Sequence, residues 1–188
     1  MAEMFHGKTC AFKDLALSLF PYLLTWARNE LQETRDILIL TATSGDTGKA
    51  ALEGFKDVPG TKIQVFYPEH GVSPLQKEQM CKQEGNNVNV VGIEGNFDDA
   101  QSALKKIFSN TEVRRRAAEA GVVFSSANSI NIGRLFPQVV YYVWIWRQLV
   151  KNHVIDEMTA LIWLFLQEIS AIFCQHGMHC RLVCPLAS

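Results

Sequence analysis

Ten residues near the amino terminus, Phe5-His6-Gly7-Lys8-Thr9-Cys10-Ala11-Phe12-Lys13-Asp14, set two lysines among small, hydroxyl and apolar neighbours. A lysine amine on its flexible stem gives up its proton readily when desolvated, so it can attack a carbonyl carbon and then act as a base once released. The plainer role for such a residue is a solvated surface charge. Two later stretches have residue types suited to anions. Thr43-Ser44-Gly45-Asp46-Thr47-Gly48 follows the apolar run Ile37-Leu38-Ile39-Leu40 and opens a helical pattern. Small and hydroxyl residues there leave backbone N–H groups available at the positive end of a helix. Asn128-Ser129-Ile130-Asn131, with Arg134 after it, begins another helical pattern. Amides and an arginine at a helix start suit a phosphate, although plain capping by Asn128 or Ser129 uses the same residues. A nucleotide P-loop is excluded, because it needs four residues between its glycines and a hydroxyl residue after its lysine. Here Asp46 and Thr47 alone separate Gly45 from Gly48, and Ala50 follows Lys49.

The elements that must carry these segments alternate. Asp14 to Gln32 reads as a helix that Pro21 should kink, and Ile37–Leu40 as a strand buried on both faces. Thr47 to Phe55 is helical and Lys62 to Tyr67 extended. Ser73-Pro74 has the form of a helix start, a capping serine before a proline at the first position. Val88 to Val91 is a third strand. Phe97 to Phe108 and Glu112 to Ala120 are helical, with Asn96 as a cap. Val122 to Phe124 is extended, and Ile130 to Val150 forms one long helix. Strands alternating with helices predict an α/β fold, an open and mostly parallel sheet with helices on both faces.

Composition narrows the classes. The chain has 188 residues, a formal charge of −1, 48% hydrophobic and 20% charged residues, as in a soluble globular domain. That balance argues against a nucleic-acid partner. The run Arg114-Arg115-Arg116 lies near Glu112 and Glu119, as on a solvated helix face. Five cysteines without a secretory leader point to a reducing, cytoplasmic setting. Cys174, His176, His179, Cys180 and Cys184 match no standard zinc spacing, so no metal is expected. The apolar stretch Ala160 to Phe173 is shorter than the ~20 residues of a membrane helix and carries Gln167 and Glu168, so no membrane partner is expected either.

Four segments in order (the lysine decapeptide, Ala42 to Gly48, Tyr67-Pro68-Glu69 with Val72-Ser73-Pro74, and Asn128 to Asn131) resemble threonine synthases of the type II pyridoxal phosphate fold. The resemblance runs from about Met4 to about Lys151. It implies Lys13 as the catalytic residue, holding the cofactor pyridoxal 5'-phosphate as a Schiff base. It implies Ser44, Gly45, Asp46 and Thr47 on the substrate carboxylate, and Asn131 and Arg134 on the substrate phosphate. The implied small-molecule substrate is O-phospho-L-homoserine, converted with water to L-threonine and phosphate by β,γ-replacement. Lys8 and Cys10 stand where the commonest family version has proline and leucine, a subfamily variation around an intact Phe-Lys-Asp core.

The resemblance divides the chain into 1–152, a partial lyase domain, and 153–188, a tail unlike the family. The family continues with a strand and a loop, Pro-Thr-Gly-Asn-Phe-Gly-Asn, that cradles the cofactor phosphate; here no glycine occurs between Gly133 and Gly177. Codons chosen for Phe165 to Phe173 as TTC CTA CAG GAA ATT TCG GCA ATA TTT, followed by TG of Cys174, yield that loop from the third base. They then read Pro-Thr-Gly-Asn-Phe-Gly-Asn-Ile-Leu. A frameshifted tail beginning between His153 and Trp163 is therefore expected, and the segment before Met4 looks clipped. The alternatives to a working threonine synthase are a catalytically incompetent fragment or pseudogene product, or another type II pyridoxal phosphate lyase.

Overall fold

A computed structural model describes residues 3–156. The expected frameshifted tail and the cysteine and histidine cluster from Cys174 onward lie outside the described residues. Helix α1 spans Asp14–Glu30, with Asp14 in its first turn and Arg28 in its last, each favourable to the helix dipole. Pro21 lies within it, where it offers no N–H to the ladder. Strand β1 (Asp36–Ala42) leads into α2 (Asp46–Phe55), then β2 (Thr61–Pro68), α3 (Pro74–Cys81) and β3 (Val88–Ile93). Helices α4 (Phe97–Ser109) and α5 (Thr111–Glu119) precede β4 (Val122–Ser125). The four strands are ordered β3-β2-β1-β4, and every pairing is parallel. This is the fold class that the alternation of patterns predicts.

Helices α3, α4 and α5 each carry a side-chain start signal. Ser73 accepts from Gln76 N ahead of Pro74, and Asn96 forms a capping box with Asp99. Asn110 caps α5, whose Arg115 pairs with Glu112 and Glu119 on the solvated face expected for that basic run.

Two apolar layers grip the sheet. On one face Ile37, Ile39, Ile63 and Val65 meet Leu17 and Phe20 of α1, Ala51, Leu52 and Phe55 of α2, and Met80 of α3. Phe20 and Phe55 pack edge to face at 5.6 Å. On the other face Leu40 and Ala42 meet Ala100 and Leu104 of α4. Helices α1 and α2 approach closely because of Gly54, where a Cβ would stand 2.0 Å from the Leu17 carbonyl oxygen.

One element departs from expectation. The long helix over 130–150 is instead α6 (Ile132–Leu135), a 3₁₀ turn (Phe136–Gln138) and α7 (Val139–Lys151). Pro137 is the cause: it has no N–H to donate and its ring crowds the preceding turn.

The Gly54 contact yields a test. Gly54→Ala should force α1 and α2 apart and lower stability by about 1–3 kcal/mol, read as an earlier midpoint in urea unfolding followed by circular dichroism.

Candidate active site

The chain runs outward from β1 through β2 to β3 and then returns to place β4 on the other side of β1. In an open parallel sheet, ligands bind beyond the carboxyl ends of the strands where the order reverses. That crevice lies between the loops after β1 and β4, the two stretches singled out as anion seats.

The loop after β1 is held by Thr43. Its hydroxyl accepts from Gly45 N at 3.0 Å and Gly48 N at 2.9 Å, so one threonine fixes the turn and satisfies an N–H of the first turn of α2. Gly45 has φ of 156°, and a Cβ there would meet the Gln76 amide at 2.5 Å. Ser44 is exposed at the tip, Asp46 half-buried, and Gly45 and Thr47 buried.

The loop after β4 is latched onto β1 by Asn128. Its Oδ1 accepts from Ala42 N at 3.0 Å and its Nδ2 donates to Ala42 O at 2.7 Å, which continues the ladder beyond the end of β4. Asn131 turns inward as well. Its Oδ1 accepts from Gly133 N at 2.9 Å while its Nδ2 donates to Ser126 O and Ser125 Oγ. Arg134 is buried, 4% exposed. The helix they open has four residues, too short for much dipole, so the phosphate seat expected at the start of a long helix lacks that long helix.

Lys13 enters the crevice from the amino end of α1. Its side chain is 5% exposed, its Nζ donates to Asp46 Oδ1 at 2.8 Å, and the Asp46 side chain is 40% exposed. The loop that delivers it is tight. Cys10 N bonds Gly7 O at 3.1 Å, Cys10 adopts a left-handed φ of 58°, and the Asp14 carboxylate accepts from Thr9 N at 2.8 Å and from the Thr9 hydroxyl. From α7 the Tyr141 hydroxyl donates to the Phe12 carbonyl, fixing the peptide just before Lys13. Burial, with Asp14 nearby, holds Tyr141 ionisation well above the ordinary tyrosine range. Lys8, by contrast, lies at the surface, its side chain 79% exposed and paired with Glu53.

The structure thus brings Lys13, Asp46 and the Ser44–Thr47 turn together and sets Asn131 and Arg134 on the neighbouring loop. Gln76, which covers Gly45, and Tyr141, which pins the lysine loop, are site residues that sequence reasoning missed. Gln76 follows soon after the Ser73-Pro74 start; no sequence signal links Tyr141 to Phe12 across the chain. A cavity of about 1090 Å³ lies beside the lysine loop against Tyr22, Tyr141 and Trp144, and neither Lys13 nor Ser44–Thr47 lines it. No helix among the described residues is long and apolar enough to cross a membrane.

No protein-family model matches the chain. Individual relatives do. The human protein named threonine synthase-like 1 is 42% identical over 156 residues, which is 80% of this chain and 21% of that protein. Threonine synthase of Escherichia coli K12 is 39% identical over 140 residues, 74% of this chain and 30% of that enzyme. The crystal structure of pyridoxal phosphate-bound threonine synthase from Brucella melitensis superposes with a TM-score of 0.67 at 41% identity, covering 78% of this chain and 30% of that one. The chain therefore spans about a fifth to a third of the length of the relatives it matches. Over that span it is a homologue of threonine synthases, with the fold of the corresponding segment.

The Asn128 latch provides a test of how the two loops are joined. Asn128→Ala should leave the Ala42 N–H and C=O without their side-chain partner and lower stability by about 1–3 kcal/mol, measured by denaturant unfolding.

Proposed function

We propose that residues 3–156 form the lysine and substrate-carboxylate portion of a pyridoxal 5'-phosphate-dependent lyase with threonine synthase activity, acting on O-phospho-L-homoserine. The observation that carries this reading is the placement of Lys13. A nearly buried amine stands at the switch-point crevice, against the amino end of α2. The residues fit the cofactor in that respect. A buried amine held by the Asp46 carboxylate can be released to bond an aldehyde carbon, whereas Lys8 lies at the surface with its side chain 79% exposed and paired with Glu53. When bound, pyridoxal phosphate supplies an electron sink for carbanion chemistry next to the amino carbon.

The chain's own residues would do the rest. Lys13 Nζ is the point of attachment and, when free, takes protons from the substrate Cα and then Cβ. N–H groups of Ser44, Asp46 and Thr47, at the positive end of α2, would seat the carboxylate and so aim Cα at Lys13, while Gly45 N is taken up by the Thr43 hydroxyl. Asn131 shapes the β4–α6 loop through its internal hydrogen bonds, and Arg134 supplies the positive charge on that side for the substrate phosphate. The cysteines Cys10 and Cys81 are free thiols, which suits a reducing cytoplasmic compartment. A second reading is a segment that retains the lysine site without turning over substrate, since no glycine-rich stretch occurs between Gly133 and Gly177 to cradle a cofactor phosphate.

Borohydride trapping tests the proposal. Purified chain incubated with pyridoxal phosphate, reduced and digested should carry the pyridoxyl label on Lys13, and Lys13→Ala should lose it. Label distributed evenly over surface lysines such as Lys8 and Lys82 would refute the site. Phosphate release from O-phosphohomoserine then separates an active lyase from a segment that only holds the cofactor.

A further inference from the structure

Asp46 belongs by sequence to the turn assigned to the substrate carboxylate, yet its side chain does something else. Its Oδ1 accepts from Lys13 Nζ at 2.8 Å, and a carboxylate facing an incoming carboxylate would repel it. The two partners differ in their contact with water: the lysine side chain is 5% exposed and the aspartate 40%. An ammonium taken that far out of water costs stability unless an anion meets it. An ordinary first-turn acid, serving only the helix dipole, has no need to reach across to α1.

From this pairing we infer that Asp46 is a positioning residue for Lys13: its ion pair fixes the amine at the crevice and restrains its attack on an electrophile until the pair opens. An ammonium has no lone pair, so Lys13 must surrender a proton before it can bond carbon. While Asp46 accepts its hydrogen bond, Nζ is engaged with the carboxylate. The assignment deepens the function proposed above and rests on it for its biological meaning. The pairing itself can be measured without cofactor.

Competitive acetylation of the cofactor-free chain with trace acetic anhydride reads the restraint directly. The ammonium first gives one proton to water, the amide bond then forms at Nζ as acetate leaves, and the second nitrogen proton passes to water. Modification at Lys13 is referred to Lys82, a surface lysine whose side chain is 75% exposed. Asp46→Asn should raise the Lys13 to Lys82 ratio roughly tenfold, and Asp46→Glu, which keeps the charge, should return it most of the way to wild type. Asn96→Ala weakens the capping box of α4 on the opposite face of the sheet and serves as a control for general loosening. A ratio unchanged in Asp46→Asn, or raised as much by Asn96→Ala, overturns the inference. Parallel pyridoxal phosphate uptake, followed by absorbance, separates the two ideas. Uptake with an Asp46-independent ratio supports the site and overturns the restraint. An Asp46-dependent ratio without uptake supports the restraint and overturns the proposed cofactor role.

Discussion

Strand β1 is buried on both faces, and the site depends on that constraint. Ile37 and Ile39 are locked into the layer of α1, α2 and α3, while Leu40 and Ala42 are locked into the layer of α4. A slip of one residue would turn each set into the wrong layer, so the register of β1 is pinned from both sides. Where β1 ends is therefore fixed too. The turn at Thr43 starts from that end, and Asn128 grips Ala42 there to bring in the loop after β4. Two loops distant in sequence share a crevice because both are referred to the last residue of one strand.

Charge at the crevice is arranged around the amino end of α2. That end carries about half a positive charge, which favours an anion and disfavours an ammonium. Placing Lys13 there without compensation would combine desolvation with like-charge repulsion. Asp46 offsets both by setting its carboxylate 2.8 Å from the amine. The same field that makes Asp46 useful makes the Ser44–Thr47 turn attractive to a carboxylate ligand. The positive helix end and the ammonium together call for negative charge, and Asp46 meets that need at the amine while the backbone N–H groups still face the ligand position.

Most of the scaffold was legible in the sequence because its signals are local. Ser73 before Pro74 and Asn96 before Asp98 and Asp99 are capping patterns confined to a few residues, and both helices begin there. The run Ile37 to Leu40 is apolar at every position, as a strand between two layers must be. The helix expected over 130–150 was misread because apolar spacing persists through Pro137, while the missing N–H breaks the ladder. Within the site, Lys13 and the Ser44–Thr47 turn were found through resemblance, and the fold brings them together. Asn131 shows the limit of reading residue type alone: an amide suited to phosphate is equally suited to its own loop, and its donor and acceptor are engaged there. Tyr141 and Gln76 could not be found, since their partners, Phe12 and Gly45, become neighbours only after folding.

The described residues also separate two tasks that a complete cofactor site would join. Retaining a phosphorylated aldehyde calls for an anion cradle, and forming a bond to it calls for an oriented amine. Among residues 3–156, Lys13 is such an amine under the proposed function, oriented by Asp46. The sequence carries no glycine from Arg134 through His176, the stretch where the resemblance leads one to expect such a cradle. An unrestrained buried lysine would meet any small aldehyde that entered the crevice, whereas a paired ammonium must first be drawn away from Asp46. Selectivity at this site therefore begins with breaking an ion pair, before any contact with a phosphate.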